Sequence, residues 1–386
     1  DGFDRALKIP DKGYPGMSLQ KTESEKAIRG SNEGFGDSIK QNTALIRKRL
    51  RSVDLKVAEC KCGRRTGTNV DIMYLDGIVR PEIVTQMQQR LAAFEIDGIG
   101  DSGVIEQLTE TQWFSPFPQY QTTRRPDRAV MALLEGRAVL LTDNSPEVLI
   151  FPTDYNSFIK TTDDYYTRWE IATFTRTLRY VAAFLSMLLP GLYLAMTNFH
   201  TQLLPTKLLL SFAAARQGVP FPGVVEVLLM ELSFELLREA GVRLPGAMGN
   251  TIGIVGGLII GQAAVDANIV SPMVVIVVAF TALCSFAIPN EDFATAFRLL
   301  KFVFIGLSAA LGFYGFLLGL LILLIHLAQL ESFGMPYLMP FVGADLNDYR
   351  DERDSLVRPP LQALTHRPFY ANPKNRVRLR MKYKNR

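Results

Sequence analysis

The sequence predicts a protein of two parts: a soluble N-terminal domain of the α/β (or α+β) class, followed by an all-α, multi-span membrane domain. Residues 37–170 mix strand-like and helical patterns over the length of one compact domain. From residue 244 to residue 290, by contrast, the only Asp, Glu, Lys or Arg is Asp266. The tail at 349–386 then carries eleven Lys and Arg residues, so the overall charge of +4 conceals an uneven distribution.

The soluble domain is predicted at 37–170, after an extended connector at 1–36 that is rich in Gly, Lys and Ser. The patterns indicate a basic amphipathic helix over 38–52, two strands in LKVAECKCG and TNVDIMYLDGI, and a helix that begins at Pro81. A hairpin is expected around residues 143–146, within RAVLLTDNSPEVLIFP. Because the chain starts at Asp1 and not at Met, we expect that an N-terminal piece has been removed or was not included.

This domain lacks the patterns of an enzyme or of a metal or nucleic-acid site. Cys60 and Cys62 form a lone C-x-C pair, whereas structural zinc uses four ligands. The basic first helix has no interleaved aromatic residues on which bases could stack. No histidine partner or nucleophile motif accompanies its carboxylates, which include Asp71, Asp76, Asp97, Asp101 and Glu106. We therefore expect an interaction or assembly module with no catalytic activity, no cofactor, no metal and no bound nucleic acid.

The membrane domain is predicted at 171–345, with about four spans near 176–198, 246–265, 269–289 and 302–327. Its entry is flanked by Arg168, Arg176 and Arg179. Four crossings place both chain ends on one side, and the basic tail at 346–386 makes that side cytoplasmic by the positive-inside rule. An interfacial aromatic belt is expected at Tyr165, Tyr166, Trp169 and Tyr180.

The segment 203–243 is too charged for an ordinary lipid-facing span and too apolar for a loop. A helix is predicted over 224–240, capped by Gly241 and stopped by Pro245. Glu231 and Glu235 then share a helix face with Arg238 and Glu239, and Glu226 points elsewhere. Two interpretations stay open: a pore-lining or re-entrant helix with an acidic ring for ions (Glu226, Glu231, Glu235), or an amphipathic helix at the interface with solvated acids.

The stretch 249–272 repeats a glycine every four residues, at Gly249, Gly253, Gly257 and Gly261. It lacks the Lys and the spacing of a phosphate-binding loop. On a helix these glycines line one face, which favours close helix packing or sliding during gating, with static packing as the simpler alternative. Three polar residues of the same helix face water or cap it: Asn250, Gln262 and Asp266.

Several long blocks resemble the A subunits of GerA-type spore germinant receptors of endospore-forming bacteria, and the similarity runs over residues 23–341. Members of that family carry a longer soluble region ahead of this point. The blocks are EGRAVLLTDNSPEVLIFPT, DDYYTRW, LLPTKLLLSFAAARQGVPFPGVVEVLLMELSFELLREAGVRLP, GNTIGIVGGLIIGQAAVDANIVSPMVVIVVAFTALCSFAIPN and SFGMPYLMPF.

The resemblance implies a subunit of the inner spore membrane with its soluble domain facing the core. It implies a transporter-like B subunit that senses the nutrient and a lipoprotein C subunit as partners, besides membrane lipid. It also implies a homo-oligomer, a pentamer, that forms a nutrient-gated cation channel and triggers germination. A related branch, the SpoVA-associated paralogue that amplifies ion release, shares this architecture.

Two functions of other classes remain. A solute carrier also uses helices broken by Gly and Pro, but carriers show paired repeats, and the pattern at 222–245 has no second copy in the sequence. A scaffold would hold partners at the membrane without conducting ions. It predicts that neutral substitutions at Glu231 or Glu235 leave germination unaffected.

Overall fold

The computed structural model describes residues 30–243, 247–342 and 354–380. Its N-terminal part contains a five-stranded sheet in the order β1-β2-β4-β5-β3, in which every pair of neighbours is antiparallel. This pairing decides for α+β between the two classes that the sequence left open. The strands are β1 Leu55–Cys62, β2 Thr68–Leu75, β3 Gln121–Thr123, β4 Ala138–Thr142 and β5 Val148–Phe151.

The predicted hairpin is formed by β4 and β5, with Ala138 opposite Phe151. Asn144 in its turn has φ = 64°, a conformation that Asn tolerates better than most residues. Every residue of β4 is buried because helices cover both faces of the sheet. Alternate residues of this strand therefore enter two cores, Leu140 that of α2 and α3 and Val139 that of α1 and α4.

Between residues 30 and 168 the structure has six helices, and the predicted first helix and the predicted start at Pro81 are both confirmed. Ile39 and Ile46 of α1 are buried in the core, and Asn42 is buried through a pair of hydrogen bonds with the backbone of Gly36. The helices are α1 Ile39–Arg49, α2 Pro81–Ala92, α3 Ser102–Thr109, α4 Pro126–Leu134, α5 Tyr155–Ile159 and α6 Asp163–Tyr166.

Cys60 and Cys62 stand two residues apart on β1, so both side chains lie on the same face of the sheet. Both contact the core cluster below α2, and burial raises the pKa of each thiol. The C-x-C spacing is thus the period of a strand. Among the described residues, no group of three or more His, Cys, Asp and Glu side chains is placed to hold a metal ion.

The apolar helices follow. They are α7 Trp169–Leu194, which a π-helical turn Ala195–Phe199 continues, α8 Thr206–Ala215, α9 Gly223–Arg243, α10 Ala247–Asp266, α11 Pro272–Phe286 and α12 Glu291–Gln329. Two of the described helical stretches, Trp169–Phe199 and Glu291–Gln329, are long and apolar enough to cross a membrane. The prediction that Gly241 caps α9 is wrong, since the helix continues to Arg243. Pro245 lies outside the described residues.

The helix α12 is a hairpin with two antiparallel legs, residues 291–311 and 313–329. Gly312 between them has φ = 61° and ψ = −139°, which ends one helix and starts the next. Phe304 and Phe316, on opposite legs, have ring centroids 5.8 Å apart. The prediction of one continuous span over 302–327 is therefore wrong. The sequence pattern predicts an apolar helix on both sides of Gly312. It does not show that the chain reverses direction at this glycine.

The open end of the hairpin contacts the N-terminal part that contains the five-stranded sheet, which we call the sheet domain. The ring of Phe117 lies 6.0 Å from that of Phe293 in the first leg and 6.2 Å from that of His326 in the second leg. The tip at Gly312 lies instead against Phe199, at the far end of α7. About two turns before the tip, Gly191 of α7 lets the first leg approach so closely that a Cβ there would be 3.1 Å from the Phe304 carbonyl oxygen.

After α12 the chain returns to the sheet domain. A short hairpin of β6 Glu331–Ser332 and β7 Met335–Pro336 brings Phe333 onto Phe151, with ring centroids 4.7 Å apart. The described part of the basic tail, residues 354–380, also packs on this domain, where Ala371 forms a β-bridge with Val79. A Cβ at Gly136 (φ = 93°) would meet the Ala371 Cα at 2.5 Å. This part of the tail completes the domain.

The predicted aromatic belt is wrong at two of its four positions. Tyr166 and Trp169 are 42% and 41% exposed, as a belt requires. Tyr180 is buried and donates a hydrogen bond to Asn156, and the Tyr165 hydroxyl donates to Asp354 at 2.7 Å. Tyr180 thus joins α7 to α5, and Tyr165 joins α6 to the tail, contacts between segments that local composition does not show.

Candidate functional site

The site is built on α9, which lies antiparallel to the first leg of α12. Three ion pairs set this arrangement, because residue numbers rise along α9 while those of their partners fall along α12. Glu231 meets Lys301, Glu235 meets Arg298, and Arg238 meets Glu291. We call this row of charges the ion-pair ladder.

The centre of the ladder is the pair of Glu231 and Lys301. The Lys301 Nζ donates to the Glu231 Oε2 at 2.5 Å, and both residues are at most 4% exposed. A second carboxylate, that of Glu235, accepts from the same ammonium at 3.4 Å. The other oxygen of Glu231 has no hydrogen-bond partner in the described part of the chain. One side of this buried carboxylate is thus an open acceptor.

The next position of the ladder is half-buried. Arg298 donates to the Glu235 Oε2 at 3.2 Å, with side chains 18% and 27% exposed. Lys301 and Arg298 therefore carry two positive charges against the two carboxylates of Glu231 and Glu235, and their sum is zero. A buried charge is expensive without such a partner. The resting ladder is consequently neutral at its centre.

The ladder ends near the sheet domain at Arg238. Its guanidinium donates to the Ser285 hydroxyl at 3.1 Å and lies 3.6 Å from the Glu291 carboxylate. Glu239, predicted on the same face, is instead exposed and pairs with Arg243 one turn along α9. The acidic face is thus paired with α12 over about two turns, and its last acid is solvated.

Glu226 points elsewhere, as predicted, and serves a different contact. One oxygen accepts from the backbone N–H of Ser271 at 2.8 Å, and the other lies 3.2 Å from Arg216. Ser271 caps α11, so this buried carboxylate faces the positive end of a helix. The geometry makes Glu226 a link between α9, α11 and the segment after α8.

Lys301 and Arg298 are the site residues that sequence reasoning missed. They occur three residues apart at the start of an apolar run, where basic residues are usually read as a flank. The available signal was their spacing, which places both on one helix face opposite acids spaced by four. Their pairing partners are 70 and 63 positions away in the sequence, so no local pattern reveals the match.

The glycine face of α10 does not bring another backbone close at the two positions whose surroundings are described. A Cβ at Gly257 would meet the Phe234 ring at 3.5 Å, and one at Gly261 would meet Val275 at 3.4 Å. These are ordinary contacts with side chains of α9 and α11. The surroundings of Gly249 and Gly253 lie outside the described part of the helix.

Two of the three predicted polar residues of α10 lie in its last turn. Gln262 donates to the Asp266 carboxylate at 2.9 Å, and both side chains are exposed. The side chain of Asn250 lies outside the described residues. The Gln262–Asp266 bond joins two positions one turn apart on the helix surface.

A second charged cluster joins the tail to the base of α7. Asp354 receives hydrogen bonds from Arg176 at 2.8 Å, from Tyr165 at 2.7 Å and from Lys160 at 3.4 Å. Burial alone would raise the pKa of Asp354. The positive charges of Lys160 and Arg176 outweigh this effect and hold the pKa below its ordinary value. Arg176 is fully buried and also pairs with Asp164. Arg176, predicted as a membrane flank, therefore clamps the tail.

Together these features define a class of protein: an antiparallel α+β domain that carries a bundle of apolar helices with buried ion pairs between them. The chain belongs to the GerA family of spore germination proteins. The model of that family, described as Bacillus/Clostridium GerA spore germination protein, matches residues 1–370.

Relatives of this chain are similar over nearly its full length. Spore germination protein KA of Bacillus subtilis (strain 168) is 43% identical over 378 residues, which cover 98% of this chain and 69% of that protein. Spore germination protein GerLA of Bacillus cereus is 40% identical over 375 residues, which cover 97% of this chain and 76% of that protein.

A solved structure also matches part of the chain. It is the N-terminal domain of the A subunit of the Bacillus megaterium spore germinant receptor GerK3, with 33% identity. The match covers 31% of this chain and 94% of that chain, with a TM-score of 0.26. A score this low carries no argument about the arrangement of the present fold.

Proposed function

We propose that this chain is the A subunit of a spore nutrient germinant receptor and that it forms an oligomeric, nutrient-gated cation channel in the inner spore membrane. Membership of the GerA family supports the role in germination. The observation that supports the channel is the ion-pair ladder, because ionisable residues between membrane helices are rare and are characteristic of ion and substrate pathways.

Glu231 and Glu235 are the residues that select cations in this proposal. In the resting protomer Lys301 and Arg298 neutralise them, so a passing cation would meet no net negative charge. Opening then requires that α9 and α12 shift until the carboxylates leave their partners and face water. Rings of such carboxylates, one from each subunit, attract cations. Glu226 holds α11 in register while this happens.

The assembly follows from the same proposal. A transporter-like B subunit senses the nutrient, a lipoprotein C subunit completes the receptor, and copies of this chain form a pentamer surrounded by lipid. Exposed apolar side chains on α8 are consistent with a surface that lipid or a second subunit covers in this assembly: Leu208 is 43% exposed and Leu210 is 64% exposed. Gly249, Gly253, Gly257 and Gly261 allow helices to slide during gating. The sheet domain and the tail face the spore core.

The test is a cation flux measurement on the full-length protein with its B partner in vesicles, with and without nutrient. We expect Glu231→Gln and Glu235→Gln to reduce the nutrient-dependent flux of cations. Glu239→Gln is the matched control, because it makes the same change on an exposed position of the same helix. The control should conduct like the unchanged protein.

Two other results are informative. If no variant and no condition gives a flux, the chain does not conduct and the scaffold is the remaining function. If a solute is transported at a saturable rate and cations leak only with it, the protein is a carrier. Equal loss of flux in Glu231→Gln and Glu239→Gln would contradict the assignment of the ladder as the ion path.

A further inference from the structure

The loop between α3 and β3 presents two large aromatic side chains to the outside. Trp113 is 77% exposed and Phe114 is 84% exposed, and their rings meet edge to face with centroids 5.3 Å apart. Side chains of this size bury large apolar areas in most proteins. Their joint exposure therefore indicates a surface that another phase or molecule covers.

This loop is fixed to the end of the second leg of α12. The Ser115 hydroxyl and the His326 Nε2 share a hydrogen bond of 2.9 Å, and Gln112 donates to the carbonyl of Gln329 at 3.3 Å. Three residues after the pair, Phe117 is 1% exposed and packs edge to face on Phe297. The two exposed rings are thus held at the base of an apolar helix and not on a free strand of chain.

The apolar surface continues from the loop up the helix. Ile325 and Ile322 lie one and two turns before Gln329 on the same face and are 49% and 55% exposed. Residues 111–120 of the loop contain no charged side chain, and Glu110 just before them accepts a hydrogen bond from the backbone N–H of Gln119. Trp is enriched where a helix leaves the hydrocarbon, since its ring is apolar and its N–H is polar.

We propose that Trp113 and Phe114 form a membrane anchor that inserts into the headgroup region of a phospholipid bilayer and seats the sheet domain on it. This inference rests on the proposed function in one respect, that α12 lies in a bilayer. Because the loop contains no Lys or Arg, the anchor acts by burial of apolar surface and not by attraction to anionic lipid. The seat would tie the sheet domain to the base of the α12 hairpin.

The chain has only two tryptophans, which permits a site-specific test. In the full-length variant Trp169→Phe, the remaining Trp113 reports on its own surroundings. In phosphatidylcholine vesicles with brominated acyl chains near the headgroups, Trp113 should lose roughly half or more of its emission, and aqueous iodide should quench it weakly. Adding anionic lipid should leave this quenching unchanged.

Two outcomes overturn the anchor. Strong quenching by iodide with none by brominated lipid would place Trp113 in water. Protection from both quenchers would mean that protein covers it, either a second copy or another subunit. A control separates these from a failure of the proposed function: Leu321→Trp, in a chain with both native tryptophans changed to Phe, places a probe on an exposed position of α12. If this control is not quenched by the brominated lipid, α12 is not in the bilayer.

Discussion

Lys301 holds Glu231 at 2.5 Å in a place where both side chains are almost fully buried. The lysine also reaches Glu235 at 3.4 Å, so one ammonium neutralises two carboxylates of α9. Removing one member of a buried pair leaves the other charge unpaired, which typically costs about 3–5 kcal/mol. The pair therefore ties α9 to the first leg of α12 in the resting state.

We predict that Lys301→Met opens the ion pathway without nutrient. The methionine keeps the apolar stem and removes the charge, so the two carboxylates lose their common partner. Basal cation flux in vesicles should rise about tenfold or more, as expected when a closed state loses a few kcal/mol. Lys207→Met, on the exposed side of α8, is the matched control and should leave the basal flux unchanged. An unchanged basal flux in Lys301→Met would contradict a locking role.

Gly312→Ala should disrupt the α12 hairpin. At φ = 61° and ψ = −139° any side chain is strained, and an added Cβ would meet the Phe199 Cβ at 2.8 Å. We expect a loss of about 1–3 kcal/mol in the free energy of unfolding, measured by denaturant titration in detergent. Gly306→Ala lies in the same helix with no heavy atom within 4 Å of the added Cβ. It should be neutral or slightly stabilising, and equal losses in both variants would argue against the turn.

Asp354→Asn should release the tail from the sheet domain. The change removes the charge that Arg176 and Lys160 share, although Asp164 still pairs with Arg176. Amide hydrogen exchange over residues 354–380 should accelerate, while exchange in β4 and β5 stays slow. Asp97→Asn is the control, because its pair with Arg65 is exposed and such pairs contribute little. Uniform acceleration across the domain would indicate global destabilisation instead.

The stability of the sheet domain should depend on pH through Glu106. Burial, followed by the nearby Glu110, raises the pKa of Glu106 from 4.5 to about 8. The folded protein therefore holds the proton of Glu106 more tightly than the unfolded chain does. The contribution of Glu106 to stability is complete below pH 4.5 and is lost as the pH rises through about 8. Glu106→Gln should remove this loss, which we expect to be on the order of 2 kcal/mol because the side chain is partly exposed.

Thermal unfolding of the full-length protein at a series of pH values tests this prediction. The unfolding temperature of Glu106→Gln minus that of the unchanged protein should increase as the pH rises from 4.5 to about 8. Glu95→Gln, at an exposed position, should give a constant difference. A difference for Glu106→Gln that is also independent of pH would show that the carboxyl keeps its ordinary pKa.

The sequence predicted most elements of the sheet domain because their signals are local. Alternating side chains defined β1 and β2, and Pro81 marked the start of α2. The apolar composition also located the helices beyond residue 169, because a helix that is packed among apolar helices or lies in lipid must itself be apolar. Apart from the β4–β5 hairpin, the strand pairing was not predictable, because β2 pairs with β4 and β3 pairs with β5 across segments far apart in the sequence.

By itself, the sequence determined where the chain is polar or apolar and which carboxylates lie on one face of α9. Those properties follow from residue type and helical period alone. Only the tertiary structure decided that α12 reverses at Gly312, that Lys301 neutralises Glu231, and that Trp113 stays exposed at the base of the helices. Each of these depends on contacts between segments far apart in the chain, and the free energy of such contacts is absent from any local pattern of residues.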